Sequence, residues 1–424
     1  MRLAHLALLC ALLAATAGER APRGAARPEL TVGEVMGLRR SRDYFALRER
    51  LTAAHDDSTP ATLLARGLVE YALNRPAASN AALARLRGGA ALDDSVLTAV
   101  WEIESNNDLR LADYAAGAAI ADSMVSGRVA LDSLRLFDAR NQQRLLHSLV
   151  GTPPQTMIAR GPSVVPITDG RIPVVVNGSR REYVFDTGAN LSTIMRSEAA
   201  NLGLRIIPAG LDVGTATAAR VTADLGVADS LRIGAMEFRH VVFLVLDDAL
   251  LTFPGSFRIP GIIGFPVIER MGEIRLQGRA TLAVPATPPA RPQGNLLLDE
   301  LTLLTPARWE GHRLLCRLDT GAGRTQLYEP FYRRFREEID TRSFPAERAM
   351  GGAGGIERTP VRVLSNVPLG VGDTVASLRR LDVLVRSIAR DERENFLDCN
   401  LGHDVFDAFG ETIVNFRDMA FLLR

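Results

Sequence analysis

The sequence predicts a multidomain chain, with an all-α helical-hairpin region first and a mainly-β part built of two similar lobes after it. Three observations predict this. Residues 30–150 are dominated by Ala, Leu and Arg, with apolar residues recurring at three and four positions. Beyond a proline-bearing stretch the composition changes to short β-branched runs broken by Gly, Pro and Asn. Those runs then repeat themselves in two halves of similar length. The 424 residues suffice for two or three domains, and 47% hydrophobic with 23% charged is an ordinary globular composition. A net charge of +1 gives no reason to expect a nucleic-acid partner.

The first residues bear on compartment. Met1-Arg2 gives a positive start, Leu3–Ala14 is almost wholly apolar, and Ala15-Thr16-Ala17 has the small-x-small form of a signal-peptidase site. Residues 1–17 are therefore expected to be a signal peptide, with a retained anchor as the alternative. The chain is expected to be exported, periplasmic or secreted. The apolar run is short for a membrane span, and no other segment has 18 apolar residues in a row. Residues 18–29 are polar and rich in Pro, Gly and Arg, as in a flexible leader.

In residues 30–150, Leu63, Leu64, Gly67, Leu68, Tyr71 and Ala72 follow helical spacing, and Asn74-Arg75-Pro76 breaks it. Ala78, Ala81, Ala82 and Leu86 resume it, and Leu109, Ala112, Ala115, Ala118 and Ala119 repeat the small-residue style. This resembles a degenerate tetratricopeptide-like array, and an unrelated helical bundle reads equally well. No catalytic constellation stands out here; the region would recruit a substrate, bind a partner or restrain the rest of the chain. Residues 151–163 read as a linker, 164–283 as the first β lobe, 284–295 as an interlobe linker and 296–424 as the second lobe.

The two lobes can be laid over each other. Val175-Val176-Asn177-Gly178 leads to Tyr183-Val184-Phe185-Asp186-Thr187-Gly188-Ala189 in one. Trp309-Glu310-Gly311 leads to Cys316-Arg317-Leu318-Asp319-Thr320-Gly321-Ala322 in the other. Each turn glycine precedes its aspartate by eight positions. Asn-Gly between apolar runs marks a hairpin, so each Asp should sit at the end of a second strand. Gly264 follows Asp186 by 78 positions, after Ile262-Ile263, and Gly402 follows Asp319 by 83, after Asn400-Leu401; each lies eight positions before another glycine.

Apolar residues leading into Asp-Thr-Gly-Ala, with a later apolar-apolar-Gly, resemble the retropepsin-like aspartic peptidases. The resemblance spans roughly residues 163–424, as two retropepsin-type lobes fused in one chain, and it implies a bilobal acid-protease fold. It implies that Asp186 and Asp319 are the catalytic pair. Carboxylates held close together share one proton, so the ionised member can activate water while the protonated one binds the scissile carbonyl. Thr187 and Thr320 would bond across the lobe interface. Gly188 and Gly321 would allow the tight turn, and Ala189 and Ala322 suit a crowded site. Ser192 and Thr325, both at Asp plus six, would support the loops with their hydroxyls. Gly264 and Gly402 would lie beneath those loops. Gly214 in one lobe, and Gly352, Gly354 and Gly355 in the other, mark candidate flaps, with ordinary hairpin loops as the alternative. Arg324 is expected to point outward, and His403 to be a surface or supporting residue. The same fold would bring Cys316 and Cys399 together, as two buried thiols or, less simply, as a disulfide.

An aspartic endopeptidase acting on polypeptides is the leading function. One chain supplies both aspartates, so a monomer without cofactor is expected. A non-catalytic peptide-binding protein of the same fold is the alternative, and pairing of lobes between chains is another. Six scattered histidines and no Cys or His pair at ligand spacing give no metal site.

Overall fold

The computed structural model describes residues 29–424 except 55, 57, 90, 215–219, 293, 353–354 and 389–394. The expected signal peptide, and the leader up to residue 28, lie outside the described residues.

The helical region comprises α1 (Val32–Arg40), α2 (Tyr44–Thr52), α3 (Pro60–Ala72), α4 (Pro76–Gly89), α5 (Asp94–Leu111), α6 (Tyr114–Val125) and α7 (Ser133–Leu149). Local chemistry starts these helices: the side chains of Thr31, Asp43, Thr59, Asp93, Asp113 and Asp132 each accept a bond from a first-turn amide. Pro60 and Pro76 occupy first-turn positions, where a missing N–H costs nothing. Gly67 lets α4 approach α3, since a Cβ there would lie 2.3 Å from Leu83 Cδ2.

The first lobe runs through β1 (Thr156–Ala159), β2 (Ser163–Pro166), β3 (Arg171–Val176), β4 (Ser179–Phe185), β5 (Ser192–Met195), α8 (Arg196–Asn201), β6 (Arg205–Gly214), β7 (Arg220–Ile233) and β8 (Met236–Leu246). It continues with β9 (Thr252–Phe253), β10 (Phe257–Arg258), β11 (Gly261–Ile263), α9 (Phe265–Arg270), β12 (Glu273–Gln277) and β13 (Thr281–Val284). The second comprises β14 (Leu297–Asp299), β15 (Thr302–Trp309), β16 (His312–Leu318), β17 (Gln326–Leu327), α10 (Glu329–Arg334), α11 (Arg336–Arg342), β18 (Phe344–Gly352), β19 (Gly355–Val371) and β20 (Thr374–Leu384). It ends with β21 (Cys399–Leu401), α12 (His403–Phe406), β22 (Thr412–Asn415) and β23 (Ala420–Leu423).

Two eight-stranded sheets carry matching arrangements, β8-β5-β11-β4 in one and β20-β17-β21-β16 in the other. The hairpins into both aspartates turn on Asn177-Gly178 and Glu310-Gly311, with φ of 46° and 83°, and 49° and 85°. Two consecutive positive φ values suit the twist of a two-residue hairpin. A third sheet, β2-β13-β12-β22-β23, joins the lobes, with Ile274 opposite Val414. Beside it Glu273, fully buried, receives bonds from Arg291, Arg275 and Asn415. Burial raises its pKa, but those donors outweigh it and hold the carboxyl below the usual range.

The stretch 151–163, expected as a linker, is partly strand: β1 pairs with β8 and becomes the outermost strand on that side of the sheet. The helical region is likewise no loose appendage. Its Tyr44, Leu68 and Tyr71 share an apolar core with Leu297, Leu298 and Phe416. Tyr114, Leu146 and Leu149 share another with Leu211, Leu225 and Leu244 of the first lobe. Tyr44 donates to buried Asp299 at 3.0 Å, and Arg42 pairs with the same carboxylate at 3.1 Å. Asn141 of α7 exchanges two bonds of 2.9 Å with the Asp212 backbone in β6, and Arg144 meets the Asp212 carboxylate at 2.8 Å. No described helix is long and apolar enough to cross a membrane.

Candidate active site

Asp186 follows β4 and Asp319 follows β16, and each strand runs parallel to a short partner, β11 or β21. The Asp186 amide donates to Ile263 O at 3.1 Å, and the Asp319 amide to Leu401 O at 3.1 Å. Each aspartate is thereby pinned where its loop leaves the sheet. The two loops then meet each other across the lobe boundary.

The meeting is fixed by a reciprocal set of four bonds. Thr187 Oγ1 donates to Leu318 O at 3.1 Å and accepts from the Thr320 amide at 3.1 Å. Thr320 Oγ1 donates to Phe185 O at 3.1 Å and accepts from the Thr187 amide at 2.9 Å. Both threonines are buried, so water offers no replacement partner.

The glycines explain how close the carboxylates come. A Cβ on Gly188 would lie 2.6 Å from Asp319 Cγ, and one on Gly321 would lie 2.4 Å from Asp186 Cγ. Each loop's glycine thus faces the other lobe's aspartate. Gly264 and Gly402 sit under the loops: a Cβ would lie 2.5 Å from the Leu191 carbonyl carbon in one lobe and 2.5 Å from that of Arg324 in the other. Their amides donate to Ser192 Oγ and Thr325 Oγ1, each at 3.0 Å. Ala189 O and Ala322 O accept from the Phe265 and His403 amides at 2.8 and 2.9 Å.

The pair differs in its surroundings. The Gly188 amide donates to Asp186 Oδ1 at 2.7 Å. Asp319 Oδ1 receives the Gly321 and Ala322 amides at 2.9 and 3.0 Å, while its Oδ2 receives Asn400 Nδ2 at 2.9 Å and lies 3.4 Å from Arg317. Arg317 also donates to Gly188 O at 2.6 Å, spanning the lobes. Burial, then the neighbouring Asp319 charge, pushes Asp186 up to about 7. Two carboxyls so placed can hold one proton between them, which provides a base and an acid at one point. Tyr328 stands near Asp319 and is raised to about 12 by burial.

Arg324 is exposed, whereas His403 is buried rather than on the surface. Burial, with Arg279 beside it, holds that histidine below its usual range. Its place directly after Gly402, under the loop, takes it out of water. Cys316 and Cys399 face each other in register and form a disulfide with Cα atoms 4.5 Å apart, so they are not two free thiols. Parallel neighbours at direct register are close enough to be bridged. Asp404 accepts from both the amide and the hydroxyl of Thr325, at 2.7 and 2.6 Å, a support the sequence reading missed. It missed Arg317 and Asn400 as well. The available signal was their contrast with Val184 and Ile262 at the same positions of the first lobe.

Hairpins rise from both lobes at the expected flap positions. Gly214 ends β6, and the tip at 215–219 lies outside the described residues. Gly352 pairs with Gly355 at the end of the β18–β19 hairpin, and Gly354 between them lies outside the described residues too. Tyr328 packs on the cluster of Val361, Val363 and Leu384 beside the base of this hairpin. Among the described residues, no group of three His, Cys, Asp or Glu side chains could hold a metal ion.

Residues 172–267 match a family model described as Aspartyl protease, so the match includes Asp186 and ends before the second lobe. No curated protein matches the chain. Among solved structures, a retropepsin-like aspartic protease from Rickettsia conorii is similar at 20% identity, covering 31% of this chain and 96% of that one, with a TM-score of 0.21.

Proposed function

We propose that the chain is an exported aspartic endopeptidase that hydrolyses peptide bonds with water at a single site made by Asp186 and Asp319. The observation that carries this reading is the pair itself: two equivalent loops, bonded through Thr187 and Thr320, each set a glycine against the other's carboxylate. The match of residues 172–267 to the aspartyl protease model supports it from the first lobe.

With one proton on the pair, the ionised carboxylate takes a proton from a water as its oxygen attacks the scissile carbonyl carbon. The protonated carboxyl donates to the carbonyl oxygen as its charge develops. Collapse of the tetrahedral intermediate breaks the C–N bond, and the pair returns a proton to the leaving amine. The β6–β7 and β18–β19 hairpins serve as covers that exclude bulk water during this sequence. Because one chain supplies both carboxylates, a monomer is a complete enzyme. The helical region acts on the peptidase by bracing both lobes, and its outer face is the place for a protein partner.

Export is supported by the Met1–Ala17 pattern and by a disulfide suited to an oxidising compartment. The test is release of new amino termini from an unfolded protein substrate between pH 3 and about 8, a span set by a carboxyl pair. Wild-type protein should cleave and Asp186→Asn should not. Equal cleavage by both proteins would remove the proposed site.

A further inference from the structure

The two lobes repeat each other closely around the aspartates, so the places where the repeat fails are informative. In the first lobe Ile262 stands opposite Val184 in the parallel β11–β4 pair. In the second, the same two positions are Asn400 and Arg317, opposite each other in the β21–β16 pair. An apolar pair beside one aspartate is thus replaced by an amide and a guanidinium beside the other. Nothing in the requirements of the sheet calls for this. Asn400 is buried, and an amide in that position is favourable only where its donors are used. One of them is aimed at Asp319 Oδ2, at 2.9 Å. Arg317 stands 3.4 Å from the same oxygen and, with its bond to Gly188 O, is held between the two active-site loops.

We propose that Arg317 and Asn400 are positioning residues that keep the pair's negative charge on Asp319 and leave the shared proton on Asp186. This rests on the peptidase reading above and adds a fixed direction to its chemistry. Asp319 is the water-activating base and Asp186 is the acid that bonds the carbonyl. The donors make the assignment. Asp319 has two amides on Oδ1, with Asn400 and Arg317 on Oδ2, whereas Asp186 has the Gly188 amide. Hydrogen bonds and an opposite charge favour the ionised form of the carboxyl they reach. The other titratable groups facing the pair do not supply this charge. Tyr328, beyond β17, is kept in its neutral form by burial, and burial together with Arg279 disfavours the charged form of His403 on α12. Arg317 is the cation whose charge both aspartates feel.

The consequence for rate is a wider working range on the acid side. Activity needs one proton on the pair. Donors beside Asp319 favour the singly ionised pair, and the remaining proton leaves Asp186 near 7.

The test is a pH titration of full-length protein carrying carboxyl-labelled aspartate, followed by carbon NMR, with Asp186→Asn and Asp319→Asn assigning the two signals. The pH profile of kcat/KM is measured in parallel. Wild type should show the singly protonated pair carrying its charge on Asp319. Asn400→Ile should raise the acid-side pKa and leave the upper limb in place. Arg317→Met should raise both limbs, the acid one by about 1 to 3, since it removes a cation felt by both carboxyls. Arg317→Lys keeps the charge and should restore most of the acid limb. The double variant Arg317→Val/Asn400→Ile copies the Val184–Ile262 pair of the first lobe, so packing survives while both side-chain donors to Asp319 are removed. A singly protonated pair carrying its charge on Asp186, or an acid limb unmoved in Asn400→Ile, would overturn the assignment. A titration as described in a protein that cleaves nothing would uphold the charge assignment and defeat the peptidase reading instead.

Discussion

The threonine exchange between the lobes can be weighed by substitution. Valine at position 187 has nearly the volume of threonine but no hydroxyl. Thr187→Val removes two buried bonds together, to Leu318 O and from the Thr320 amide. Thr187 has no exposed surface, so neither partner recovers water. Each buried group left without a partner costs about 1–3 kcal/mol, so the variant should lose about 2–6 kcal/mol. Thr187→Ser keeps the hydroxyl and loses a methyl group, at about 1 kcal/mol. Urea unfolding of both variants at one pH, with the slope checked for constancy, separates the two numbers. Hydrolysis should fall in the valine variant below the unfolding range, because the loops lose their register. Equal stability of the valine and serine variants would refute the claim that these bonds hold the lobes together.

Other perturbations follow from the same geometry. Gly321→Ala would place a Cβ 2.4 Å from Asp186 Cγ, so turnover should fall by a hundredfold or more, on the order expected for a misplaced reacting group, with circular dichroism unchanged. Since Asp186 is raised to about 7 by burial and by Asp319, its proton is lost as pH rises through that value, and kcat/KM should decline there rather than near pH 5. Reduction of Cys316–Cys399, which closes a loop of 83 residues, should cost about 4–5 kcal/mol in urea unfolding on the loop-entropy account. Asp212→Ala breaks the ion pair with Arg144 of α7, and hydrogen exchange should then quicken in β6 while β18 keeps its rate.

Much of this was legible in the sequence because the repeat carries its own alignment. Asn177-Gly178 and Glu310-Gly311 announced the hairpins, and Gly264 and Gly402 could be paired by spacing alone. Ser192 and Thr325 were found the same way, since equal offsets in two copies place both hydroxyls under equivalent amides. What the repeat could not reveal lies where the copies differ. Arg317 and Asn400 have no counterpart in the first lobe, and their partners come from the opposite loop and from the neighbouring strand, far apart in the chain. The cysteine pairing depended on register, which spacing alone does not determine. The strand within 151–163 was hidden by its prolines and glycines, because β1 is an edge strand whose pairing partner β8 lies about 80 residues on. The bracing contacts of Tyr44 with Asp299 and Asn141 with Asp212 are long-range and polar, and no periodicity marks them.

The central claim is that Asp186 and Asp319 of one chain form one site. Its most direct test is hydrolysis of an unfolded protein by Asp186→Asn, by Asp319→Asn and by an equimolar mixture of the two after unfolding and refolding together. A site within one chain predicts that both variants and the mixture are inactive, while wild type cleaves. Activity restored in the mixture would show that lobes of different chains complete each other, and activity in either variant alone would show that the pair is not the catalytic group.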